Sequence, residues 1–236
     1  MSLFHSRRPA ASSLRLRPAK LGRAAAVAAL TLSITALGGV QPSFAAEHAS
    51  AAGSVSASAL RLHDQMRELW DDHITYTRLA IVSFAGDLPD LGPTETRLLQ
   101  NQTDLGNAFK PFYGNAAGNH LTSLLRVHIL TAVDILVAAK AGDAAKLAAA
   151  ERAWYDNANE IADFLHSLNP RHWSDADLRA MMKHHLDLTL KEAGDRLEGH
   201  YAQDIADFDQ VHQQVLGMAD MLSDGIIEAF PRDFRH

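Results

Sequence analysis

From residue 57 to the C-terminus the apolar residues recur every three or four positions, and almost no segment alternates apolar with polar. That spacing gathers them on one stripe of an α-helix, whereas a half-buried strand needs a period of two. It confines the chain to an all-α fold in which every stripe is buried against other helices. Leu62, Met66, Leu69, His73, Thr77, Ala80 and Phe84 mark a predicted helix over 57–86, and Leu98, Gln102, Leu105 and Phe109 another over 94–113. Leu121, Leu124, His128, Thr131 and Ile135 place a third over 116–141. Leu147, Trp154, Ile161, Leu165 and Leu168 place a fourth over 143–168. Leu178, Met182, His185, Thr189 and Glu192 define 174–198. Ile205, Phe208, His212, Val215, Ala219, Leu222 and Ile226 define 200–228, in a nearly heptad pattern.

The breaks between these segments carry the expected punctuation. Pro89 and Pro93 bracket the first connection, with Pro93 suited to a first helical turn. Pro111 and Gly114 end or kink the second helix, and Gly142-Asp143 is a stop followed by a cap. Asn169-Pro170 closes the fourth helix, and Ser174 with Asp177 forms a capping box that opens the fifth. Connections this short favour antiparallel neighbours. The expected fold is an antiparallel bundle of five to six helices; a ferritin-like arrangement is compatible with it, but spacing does not encode crossing connections.

The first 45 residues read differently. Arg7, Arg8, Arg15, Arg17, Lys20 and Arg23 precede an apolar run over 24–40, and Ser43-Phe44-Ala45 places small residues where a signal peptidase reads. The expectation is a secretory signal peptide over 1–45, a flexible lead-in over 46–56 and a helical bundle domain over 57–236. The run is short and diluted by Ser, Thr and Gly, so no stable membrane insertion is expected after cleavage. The chain has no cysteine, which excludes disulfides and thiolate ligands. The net charge of −6 includes the six basic leader residues, leaving the rest near −12. An acidic protein without a basic stripe is a poor partner for nucleic acid. No glycine-rich phosphate loop, serine elbow or cysteine nucleophile is present, so a hydrolase triad is not expected.

What remains unexplained is polar. His73, His128, His185 and His212 sit near the midpoints of four predicted helices, each on the apolar stripe, and Gln102 and Asn157 sit near the midpoints of the other two. In an up-and-down bundle these midpoints share one height, so six polar groups would meet in one layer. Each costs a few kcal/mol if buried without a partner. A threonine lies four residues after His73 and after His185, where its hydroxyl would reach the ring. The local likeness of these segments hints at duplicated helical pairs.

Three readings compete. In the first, His73, His128, His185 and His212 bind a transition metal, Zn, Cu or Fe, with Glu192 two turns from His185 or Asp209 three residues before His212. Asp209-Gln210-Val211-His212 resembles the Glu-x-x-His of di-iron bundles, but acidic partners are too few for a bridged pair. Such a site would bind the ion or use it in metal-dependent enzyme chemistry. In the second, the belt lines a cavity for a ligand or partner. Haem is the weaker form of this reading, with Met66, Met181, Met182, Met218 and Met221 as adaptable surface. In the third, the belt is a metal-free hydrogen-bond network that fixes helix register. His63, His120, His166, His172, His184 and His200 fall at helix ends or polar faces and are expected to be solvated.

The strings LWDDHITYTRL (69–79), LLQNQTDLGNAFKPFYG (98–114), MMKHHLDLTLKEA (181–193) and MADMLSDGII (218–227) resemble a family of small secreted helical proteins of actinobacteria and bacilli. The resemblance covers 57–236 and implies an exported helical bundle. It brings no catalytic residues. Some members carry a glycosyltransferase label, which would require a Rossmann-like α/β domain. The sequence has no run of buried strands to build one, so the label is rejected for this chain.

Overall fold

The structure is a computed structural model that describes residues 56–235. The predicted signal peptide over 1–45, and the lead-in up to residue 55, lie outside the described residues. Five helices follow in order: α1 (Ala57–Ala85), α2 (Leu91–Lys140), α3 (Ala144–Leu168), α4 (Asp175–Glu198) and α5 (Tyr201–Ala229). The described residues contain no strand, as the periodicity requires.

The predicted second and third helices run together as α2, but its backbone leaves the helical region at Gly114, with φ 83° and ψ 167°. Those angles suit glycine, and Pro111 just upstream removes a helical donor. The two arms then fold back on one another. Arg126 Nη1 donates to the Leu99 carbonyl at 3.1 Å, and Gly106 and Gly118 meet backbone to backbone, where a Cβ on either would strike the other's carbonyl oxygen. The six-segment reading therefore describes the path of the chain better than the five continuous spans do.

Caps hold the ends. Ser56 accepts from the Ala59 amide, Asp143 from that of Lys146 and Ser174 from that of Asp177. The return bond of the predicted capping box runs differently: the Ser174 hydroxyl donates to the Asp177 carboxylate at 2.6 Å, side chain to side chain.

The described residues thus form three helical hairpins: α1 with the first arm of α2, the second arm with α3, and α4 with α5. α3 packs on α4, and α1 packs on both α5 and α4, which closes the ring. Each hairpin turns through one left-handed residue, Asp87 (φ 50°), Gly142 (φ 66°) and Gly199 (φ 80°) respectively. The main core contains Met66, Leu105, Phe109, Ile161, Leu178, Leu186, Met218 and Leu222.

One predicted stripe is rotated. Ile205 is 57% exposed, and the first half of α5 turns Asp204 and Asp207 inward instead. The reason is electrostatic. Arg78 Nη1 bonds Asp204 and Glu192 at 2.7 Å each, and Lys191 Nζ bonds both Asp207 carboxylate oxygens at 2.6 Å. Buried acids with cationic partners replace the apolar residues that periodicity seeks.

Candidate functional site

His73 on α1, His128 on the second arm of α2 and His185 on α4 are only 3, 3 and 4% exposed. Their rings gather in one layer: the His73 and His185 centroids are 5.9 Å apart, and those of His128 and His185 are 6.5 Å apart. Each histidine comes from the first helix of a different hairpin. Each meets an amide on the second helix of its own hairpin, through Nδ1. Gln102 Nε2 lies 3.2 Å from His73, Asn157 Oδ1 lies 3.0 Å from His128, and Gln214 Oε1 lies 3.0 Å from His185.

The separation is 29 residues in all three pairs. The left-handed turn residue stands 14 residues after each histidine. The amides bind a second group in a related way. Asn157 donates to the Leu124 carbonyl, Gln214 to that of Met181 and Asn101 to that of Leu69, each carbonyl lying four residues before the histidine of its hairpin. The first hairpin divides between Asn101 and Gln102 the work that one amide does in the other two. A polar layer built by one hairpin pattern used three times is a finer regularity than the duplicated pairs hinted at by the sequence.

The hydrogen bonds set the tautomers. Asn157 and Gln214 present oxygen, so His128 and His185 donate through Nδ1 and hold a bare lone pair on Nε2. Gln102 presents nitrogen, which also donates to the Leu98 carbonyl, so His73 accepts through Nδ1. None of the three Nε2 atoms makes a hydrogen bond among the described residues. Gln102 Oε1 and the indole nitrogens of Trp70 and Trp154 are buried beside them without partners. Trp70 meets His73 edge to face at 5.4 Å, and Trp154 stacks on His128 at 5.1 Å. Burial holds all three imidazoles neutral. It drives His128 down to about 3 and His185 to about 4, and His73 well below its usual range, with the neighbouring rings adding to the effect on His73 and His128.

The other predicted site residues stand elsewhere. His212 is half-exposed and bonds Asp71 Oδ1 at 2.9 Å through Nε2. Asp209 is exposed on the outer face of α5. Glu192 is buried but bonds Arg78; desolvation raises its carboxyl to about 7 despite that cation. The threonine hydroxyls of Thr77 and Thr189 bond the backbone carbonyls of His73 and His185, not the rings. Met66, Met182 and Met218 are packed core. Of the six outlying histidines, four are exposed, while His63 bonds Ser223 and Asp224 and His166 bonds the Trp173 carbonyl. The residue missed in the sequence is Gln214. The 29-residue step from His73 to Gln102 and from His128 to Asn157 locates it once applied to His185.

Among the described residues, the trio of metal-type ligand atoms lying within 4.8 Å of one another is Asp195, Glu198 and His200, on the surface around the α4–α5 turn. These groups already bond one another, and Lys191 bonds Asp195. Beside the histidine layer lies an apolar cavity of about 50 Å³, far too small for haem. No family model, curated protein or solved structure matches the chain.

Proposed function

We propose that this chain is an exported helical bundle that binds one transition-metal ion through His73, His128 and His185. The observation that carries the reading is the triple use of one device: a buried neutral imidazole whose Nδ1 is held by an amide and whose Nε2 has no protein partner. In His128 and His185 the Nδ1–H donates to an amide oxygen, an outer hydrogen bond of the kind that orients metal-ligating histidines and leaves Nε2 free to ligate. Neutral imidazoles suit Zn, Cu or Fe, and three protein ligands leave a fourth position for water or a small ligand. Bonds of about 2.0–2.1 Å to three tetrahedrally placed nitrogens set those nitrogens roughly 3.3 Å apart. The three rings stand wider than that, so loading draws them together. For His73 it also requires the Gln102 amide to turn its unpartnered Oε1 to Nδ1. The arginine-rich leader and Ala45 support export.

A second reading has its own support. The amides already satisfy one nitrogen of each ring, and a neutral network of three linked hairpins would hold helix register with no ion at all. The deciding experiment is elemental analysis of the 46–236 chain purified from the exported fraction, with a visible spectrum. Near-stoichiometric Zn, Cu or Fe, lost in folded His128→Ala and His185→Ala proteins, supports the metal site. No ion taken up from a panel of divalent metals leaves the structural network. N-terminal sequencing that does not begin at Ala46 would overturn the assigned cleavage.

A further inference from the structure

The space around the histidine layer is unequal on its two sides. Towards the N-terminal end of α1, Met66, Leu105, Leu178 and Met218 pack without appreciable exposure. On the other side lies the cavity of about 50 Å³, whose wall includes Thr77, Ala132 and Thr189, each one turn after one of the three histidines. The threonines offer it methyl groups, because their hydroxyls are bonded back to the His73 and His185 carbonyls at 2.7 and 2.9 Å. A buried water needs two to four polar partners, and a wall of this kind supplies almost none. The exception is Trp154, which lines the cavity, stacks on His128 and has an indole N–H without an acceptor.

A second space adjoins the cavity. Ile135, Leu136, Leu190 and Ala193 line it and also line a wider cavity of about 530 Å³. The outer rim of that second space is formed by Ala85, Lys140 and Glu198, the last residues of α1, α2 and α4. A route from the hairpin-turn end of the bundle to the turn of helix that follows the three rings would pass these four apolar side chains.

We propose that this passage admits small, uncharged, nearly apolar molecules of two or three heavy atoms, of the size and polarity of dioxygen or nitric oxide, to the histidine layer. Volume sets the size, and the dry wall rejects ions and strong hydrogen-bonding solutes through their desolvation cost. That the molecule meets a metal there rests on the three-histidine reading; that the chamber takes it does not.

The test uses xenon on the metal-free 46–236 chain, read by the methyl signals of Thr77, Ala132 and Thr189 in carbon–proton correlation spectra. Saturable shifts at these three methyls are expected, reduced at least tenfold in Ala193→Phe. Should that variant fail to fold, Ala132→Leu fills the inner chamber from a half-buried position and must abolish the shifts. Absent shifts, shifts equal in a folded filling variant, or water cross-peaks to the three methyls would each overturn the proposal. A protein that binds xenon but no metal would sink the metal reading alone, and the reverse result would sink only the passage.

Discussion

Replacing Asn157 by leucine tests whether the amides hold the rings. Leucine keeps the branching and heavy-atom count of the asparagine side chain, though its methyl groups are bulkier, and both hydrogen bonds of the amide vanish. The His128 Nδ1–H, on a residue 3% exposed, loses its acceptor at 3.0 Å while shut off from bulk solvent. A buried donor left unpaired costs about 1–3 kcal/mol. The Leu124 carbonyl loses the Asn157 donor at 3.2 Å but keeps its helical bond, so its loss is smaller, about 0.5–1 kcal/mol. The sum is a destabilisation of about 1.5–4 kcal/mol, read as a lower urea midpoint at unchanged slope. A double-mutant cycle with His128→Leu should show a favourable coupling of about 1–3 kcal/mol, because removing the ring removes the orphaned donor. If the ion binds as proposed, its affinity should also fall about 10–100-fold in the single variant. A cost below about 0.5 kcal/mol with no coupling would refute the claim that the amide positions the ring.

Acidification of the metal-free protein should weaken it. The three rings bind protons less readily folded than unfolded, where the value is about 6.5, so their stability is complete above that pH and declines as pH falls towards the 3–4 reached by His128 and His185. Glu192, raised to about 7, acts oppositely: its share is present below the ordinary carboxyl value and is lost as pH rises through 7. Three rings against one carboxyl leave a net loss on acidification, steeper in Glu192→Gln; a flat urea midpoint between pH 7.5 and 4.5 would contradict it. Arg78→Met should cost about 3–5 kcal/mol by leaving Glu192 without its cation and Asp204 with only the longer bond to Arg196, both acids being almost fully buried, and the loss should largely disappear when both acids are also neutralised. Gly106→Ala drives a methyl into the Gly118 carbonyl and the Thr122 side chain, so thermal unfolding should fall by roughly 5 °C or more while Gly92→Ala, with open space, changes little.

Helix boundaries were legible because capping and left-handed turn residues act locally: Ser174, Asp143 and Gly142 do in the structure what their chemistry requires in a short peptide. The histidine layer was legible in three of its four members because burial follows helical periodicity. His212 was misplaced for the same reason Ile205 was, since an apolar stripe is a poor guide where the inward face of a helix is charged. No periodicity reveals that Asp204 and Asp207 are buried, because their partners Arg78 and Lys191 lie on other helices. Glu192 was placed inward correctly, but its tie to Arg78 is a contact between residues 114 apart that only the folded chain sets.

The threefold pattern joins these strands. A lone hairpin cannot hide its histidine, since the ring meets only one amide and one neighbouring helix, and the exposed imidazole would stay hydrated. Three hairpins closed into a ring by the α1–α5 and α3–α4 contacts bring the three first helices inward and bury all three rings at once. A 29-residue step, with the turn residue fourteen after the ring and fifteen before the amide, puts the two at nearly one height in antiparallel rods. Any single insertion between histidine and amide shifts this register by about 1.5 Å of rise and 100° of rotation. Inserting one alanine beside Gly142 should therefore separate His128 from Asn157, whereas the same insertion in the 169–174 connection, between hairpins, should leave all three pairs intact. Equal damage from the two insertions would mean that the layer is held by general packing and not by the hairpin repeat.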